Sequence, residues 1–119
     1  LESLQPIATV EQILSVRKVV QGIRVDEKII DYLLTVVEKT RKHPDLMLGA
    51  SPRSAVAWLQ TSKAQAWLCD RDYVIPDDIK AVALPLLRHR LILKPEAQLD
   101  GLHIDAVVAS ILKQVAVPR

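Results

Sequence analysis

No phenylalanine occurs in these 119 residues, and the aromatic side chains are limited to Tyr32, Trp58, Trp67 and Tyr73. A core with so little aromatic bulk must be filled by aliphatic side chains and alanine, which suits closely packed helices. The same scarcity argues against binding to single-stranded nucleic acid, which relies on stacking platforms amid positive charge. The single cysteine, Cys69, excludes an internal disulfide, and no zinc-ligand spacing surrounds it. That usage points to a reducing compartment, the cytoplasm, with Cys69 placed in the core. Gly22, Gly49 and Gly101 are the only glycines. They are too scattered for a phosphate-cradling loop, and neither GxxxxGKS/T nor GxGxxG occurs. No run of 18 apolar residues is present to span a bilayer, and no signal peptide is visible. Charge of one sign is also missing: 16 basic against 14 acidic residues leave a formal +2, too balanced to announce a nucleic-acid or membrane partner. His43, His89 and His103 have no neighbours at metal-ligand spacing, and no nucleophile motif accompanies them. The chain alone therefore reads as neither a metal site nor an enzyme.

Half of the residues are hydrophobic and a quarter are charged, enough for one folded domain of this length. Residues 1–8 read as a linker from an upstream domain, and 9–119 as the folded unit. The first residue is Leu1 and the only methionine is Met47, which reads as a fragment of a longer protein.

The periodicity predicts an all-α fold of five or six helices with very short extended segments. Thr9 and Gln12 have the capping-box spacing, and Ile13, Val16 and Val20 continue as a helix from about Val10 to Val20. Gly22 to Val25 forms an extended connection. Asp26 caps a second helix to Lys42, striped by Ile29, Ile30, Leu33, Val37 and Thr40, with Lys39, Arg41 and Lys42 favoured by its C-terminal dipole. His43 to Ala50 is a loop. A third helix runs from Pro52 to about Cys69, with Ala55, Leu59, Ser62, Ala66 and Cys69 on one face and Trp58 at its edge. Its opposite side, Arg53, Ala57, Gln60, Ala64, Trp67 and Arg71, is too apolar for a purely solvated surface. Pro76 starts a fourth helix with Asp77 and Asp78 in its first turn, where they suit the dipole rather than form a catalytic pair. Pro85 is expected to kink or interrupt it, with a second, shorter piece carrying Leu87 and Leu91 after it. Lys94-Pro95 ends that segment, Asp100-Gly101 is a turn, and Ile104, Val107, Val108, Ile111, Leu112 and Val115 mark a final helix.

Two places carry candidate chemistry. Ser51 is a good N-cap, Pro52 suits the first helical position, and Arg53 follows in the first turn. A helix N-terminus with an arginine inside it favours a phosphate or carboxylate, although the same residues describe an ordinary capped helix with a solvated arginine. Arg88-His89-Arg90 is a compact basic cluster that reads either as a solvated turn or as a contact for an anion or an acidic surface.

Thr40-Arg41-Lys42-His43-Pro44, Gly49-Ala50-Ser51-Pro52-Arg53, Arg71-Asp72-Tyr73-Val74 with Pro76-Asp77-Asp78, and Leu87-Arg88-His89-Arg90-Leu91 follow one another in this order. Together they resemble the C-terminal lid domain of MoxR-type AAA+ ATPases, over nearly the whole chain from about Thr9. The resemblance implies a helical lid over ATP and magnesium held by an upstream P-loop core. It gives Arg53 the sensor 2 position, reaching the γ-phosphate. It further implies a homo-oligomeric ring, commonly a hexamer, that acts as a chaperone on partner complexes, with von Willebrand factor A proteins as frequent partners. Two positions depart from the family pattern: Ile75 stands where Ser or Thr is usual, and Asp70 where Gly is usual, a position Asp tolerates in a left-handed conformation at modest cost. Two other readings compete. A small nucleic-acid-binding module would use Arg88-His89-Arg90, and a non-catalytic adaptor would use the Trp67 side of the third helix.

Overall fold

A computed structural model describes residues 2–119, and the elements follow in the order α1 (Val10–Gln21), α2 (Glu27–Lys42), β1 (Leu46–Leu48), α3 (Pro52–Leu68), α4 (Pro76–Leu87), β2 (Ile92–Leu93), α5 (Pro95–Leu99) and α6 (Ile104–Gln114). The fold is all-α in class, with six helices and one small two-stranded antiparallel sheet among the described residues. Local signals set the helix starts. The Gln12 N–H donates to Thr9 Oγ1 at 3.1 Å while Thr9 N–H donates to Gln12 Oε1 at 2.8 Å, the reciprocal cap that the spacing predicted. Asp26 Oδ1 accepts from Lys28 N–H and caps α2.

The core lies among α2, α3, α4 and α6. Leu33, Val36, Trp58, Ile79, Leu87, Val107 and Ile111 are its most completely enclosed large side chains. Trp58 is fully buried and donates its indole N–H to the Ile79 carbonyl at 2.9 Å. It thereby ties α3 to α4 by a hydrogen bond as well as by packing. The sequence put Trp58 at the edge of the buried face, whereas the face is rotated toward Ser54 and Trp58 and leaves Leu59 half-buried. Cys69 is likewise corrected: it is the C-cap residue of α3 and exposed. The helix ends before the stripe completes another turn, so that position meets solvent instead of core. On α2 the buried face turns toward Tyr32 and Val36, and Ile30 is only half-buried.

α1 buries no residue. Only Val16 and Val20 are half-covered, against Gln60, Ala64, Trp67 and Leu68 of α3. The apolar second side of α3 thus meets another helix of the same chain. The connection after α1 is clamped by a parallel bridge between Arg24 and Tyr73, in which Arg24 N–H donates to the Asp72 carbonyl and Val74 N–H to the Arg24 carbonyl, both at 2.9 Å.

Three further expectations change. The loop His43 to Ala50 contains β1, paired with β2 through Leu46 with Leu93 and Leu48 with Ile92. Pro85 does not interrupt α4, which continues to Leu87, with the Arg88 N–H reaching the Leu84 carbonyl at 3.0 Å. Lying in the last turn, Pro85 forfeits a single helical hydrogen bond, its own to the Ala81 carbonyl. Lys94-Pro95 opens α5 instead of only ending the preceding segment, because Pro fits the first helical position. Gly101 takes φ +82° in the turn before α6, the conformation glycine adopts at least cost.

Candidate functional site

The start of α3 is held in place from α2. Thr40, buried in the last turn of α2, accepts the Ala50 N–H at 2.9 Å and donates its own hydroxyl to the Val37 carbonyl at 2.6 Å. Beside it, Gly49 presses on the α2 backbone: a Cβ there would stand 2.5 Å from Arg41 Cα and 2.7 Å from Arg41 N and the Thr40 carbonyl carbon. Only a residue without a side chain permits that approach. Thr40 and Gly49 therefore belong to the site as positioning residues. In the sequence Thr40 looked like one more stripe position, and only the tertiary contact gives it a second task.

Ser51 then caps α3, its Oγ accepting Ser54 N–H at 3.0 Å and lying 3.0 Å from Ser54 Oγ. Pro52, at the first helical position, has no N–H. With the Ser54 N–H taken, the open donors at this end are the Ser51 and Arg53 N–H groups and the Arg53 guanidinium. The helix terminus thus offers less than the set of free N–H groups that the sequence implied, and the side chain carries most of its anion-binding capacity. Arg53 is exposed and takes part in no ion pair or side-chain hydrogen bond among the described residues.

The second cluster is divided. Arg88 forms a forked contact with Asp105 of α6, Nε to Oδ1 at 3.2 Å and Nη2 to Oδ2 at 3.1 Å, with both side chains about half exposed. His89 and Arg90 are exposed and have no such partner among the described residues. Because β1 and β2 are antiparallel, the chain leaves β1 toward Gly49–Arg53 at the same end where Arg88–Leu91 enters β2. The sheet thus brings the two cationic segments to one end of it.

A buried ion pair missed by sequence reasoning braces the other end of α3. Asp78, 2% exposed, receives Arg71 Nη1 at 2.7 Å and Nη2 at 2.6 Å, and also the Ile75 N–H at 2.8 Å. Asp78 thus makes the reciprocal half of a capping box, while Ile75 offers no side-chain acceptor for the other half. The hydrogen bond that Arg71 donates to Asp78 raises the Arg71 pKa above its ordinary value, so the guanidinium stays charged. Arg71 also lies 6.0 Å over the Tyr73 ring and donates to the Tyr73 carbonyl. Asp70, just before it, holds φ 59°, the left-handed conformation anticipated at that position.

The sequence model of the AAA lid domain family matches residues 38–111, which include both cationic segments and the Arg71–Asp78 pair. The "Uncharacterized protein YeaC" of Bacillus subtilis is 42% identical over 99% of this chain and 37% of its own length. "Chaperone MoxR1" of Mycobacterium tuberculosis is 35% identical over 80% of this chain and 28% of its own. A crystal structure from Cytophaga hutchinsonii, described as a "putative ATPase", superposes with a TM-score of 0.90 at 31% identity, covering 97% of this chain and 38% of that one. The chain thus spans less than two-fifths of each of these proteins. The chain belongs to the AAA lid domain family, as a lid of the MoxR type.

Proposed function

We propose that this lid closes over ATP and magnesium bound by the P-loop core of the same protein, and that Arg53 is the lid's contact to the γ-phosphate. The observation that carries this reading is the Arg53 side chain: charged, exposed, unpaired and held at the anchored start of α3. Its donors suit a phosphate oxygen, and the open Arg53 N–H adds to them. A contact available with ATP and lost with ADP gives the lid a different preferred position in each nucleotide state. The anchors at Thr40 and Gly49 and the brace at Arg71–Asp78 make α3 a stiff lever for that difference. In a homo-oligomeric ring the lever would act on the neighbouring subunit and remodel a partner complex, in the manner of a chaperone. Proteins with von Willebrand factor A domains are the partners this reading favours, and the cytoplasm its place of action.

The test is ATP hydrolysis by the intact protein. Arg53→Ala should lower turnover or ATP affinity by roughly ten- to a hundredfold, corresponding to one charge-assisted hydrogen bond of about 1.5–3 kcal/mol. Unchanged turnover would refute the role given to Arg53. The lid alone, lacking a P-loop, should bind ATP no better than about millimolar in calorimetry.

A further inference from the structure

The two-stranded sheet β1–β2 has one face that the fold uses and one that it leaves open. On the used face Leu46 and Leu93 are paired and buried. In a regular ladder Leu48 would follow Leu46 onto that face, because side chains alternate with period two. The register slips between Leu46 and Leu48, and the irregularity turns the next pair, Leu48 with Ile92, outward. Leu48 is 52% exposed, Ile92 44% and the adjoining Met47 61%. Three large apolar side chains therefore meet solvent on a two-stranded sheet of five residues, a concentration unlike the singly scattered apolar residues of an ordinary surface.

Cations flank this apolar centre. The Arg41 backbone lies directly against Gly49, the residue after Leu48. Arg90 precedes Ile92 by two residues, and Lys94 follows it by two, its N–H donating to the Asp45 carbonyl at 2.9 Å. All three are exposed and none forms an ion pair among the described residues. The two strands and the residues flanking them, 43–50 and 88–94, carry a single carboxylate, the half-buried Asp45.

We propose that the outer face of β1–β2, with Met47, Leu48 and Ile92 inside a rim of Arg41, Arg90 and Lys94, docks a protein segment that sets apolar side chains between carboxylates. The apolar centre gives such a segment area to bury, while the rim selects its charge and speeds its arrival. A nucleic-acid backbone would meet the rim but leave the centre desolvated without a partner. The proposal gives Arg90 a task that does not depend on nucleotide.

Peptide selection tests it. Random peptides of about 12 residues are displayed on phage and panned on this chain, with the Leu48→Ser, Ile92→Thr double variant removing those that bind elsewhere. The recovered peptides should place two or more carboxylates beside apolar residues and weaken in high salt. They should lose at least about tenfold in affinity with Arg90→Glu or Lys94→Glu, as expected for close charge pairs at an interface. Unchanged amide signals from Leu46 and Leu93 would confirm that each variant keeps the sheet. The proposal is overturned if no peptide is recovered, or if those recovered lack acidic enrichment or ignore the charge reversals. It is also overturned if sedimentation shows the chain dimerising through this face, with Leu48→Ser restoring the monomer, because the occupant is then a second copy.

Discussion

Replacing Gly49 by alanine should damage this domain far more than so small a change does elsewhere. Its φ lies outside the left-handed region, so backbone conformation is not the obstacle. The obstacle is space: the added carbon would sit 2.5 Å from Arg41 Cα, 2.7 Å from Arg41 N and 2.7 Å from the Thr40 carbonyl carbon. Comfortable contact between carbon atoms begins near 3.5 Å, so about 1 Å must be recovered. All three neighbours are backbone, and no rotamer can yield. Either the end of α2 moves or the Gly49–Ser51 loop lifts, taking the Ala50 N–H away from Thr40 Oγ1. An overpacked core costs about 1–3 kcal/mol, and a lost buried hydrogen bond adds roughly 1 kcal/mol, giving about 2–4 kcal/mol in all. For a domain of this size that lowers Tm by roughly 10 °C. Thermal and urea unfolding of the single variant measure it, with Gly22→Ala as the control. A Cβ at Gly22 meets nothing closer than the Val19 carbonyl oxygen at 3.5 Å, and its φ of −83° suits alanine. That variant should be neutral or more stable by up to about 1 kcal/mol. If the two variants unfold alike, the close packing of Gly49 on α2 is wrong, and with it the anchoring of Arg53.

Other outcomes follow from the buried polar groups. Arg71→Met leaves the Asp78 carboxylate enclosed with only the Ile75 N–H and should cost about 2–4 kcal/mol in urea unfolding, less than a wholly buried pair because Arg71 is partly exposed; a loss under 0.5 kcal/mol would deny the pair its bracing role. The Tyr32 hydroxyl is buried without a hydrogen-bond partner among the described residues. Tyr32→Phe should therefore unfold at the same urea concentration as the parent or a higher one. Burial first, and then the Asp77 charge, raise the Tyr32 pKa above its ordinary value of 10.0. The unfolded chain then releases this proton at lower pH than the folded one, so stability is intact below about pH 10 and falls as pH rises beyond it. Removing the hydroxyl should flatten that alkaline decline, and an equally steep decline in the variant would place its origin elsewhere.

Much of this architecture is written locally. Thr9 with Gln12, Asp26, and Ser51 with Pro52 each start a helix through atoms at most three residues away, and all three starts were legible. The family order of Thr40, Gly49–Arg53 and Arg88–Leu91 was legible too. What escaped depends on distant partners. Asp78 looked like a dipole-stabilising carboxylate because Arg71 approaches it only after the chain turns through left-handed Asp70. Trp58 looked peripheral because the bond to the Ile79 carbonyl, 21 residues on, fixes the rotation of α3. β1 and β2, three and two residues long, are too short for alternation to be read. Cys69 was misplaced by extending a helical stripe one position past the end of the helix.

The central claim is that Arg53 distinguishes ATP from ADP, and the ratio of their affinities in the intact protein tests it most directly. Arg53→Ala should weaken ATP by about tenfold or more, corresponding to a contact of at least about 1.4 kcal/mol, while leaving ADP within about twofold. Should the variant keep the parent's ATP-to-ADP ratio, Arg53 does not sense the γ-phosphate and the lid must read nucleotide state through other residues.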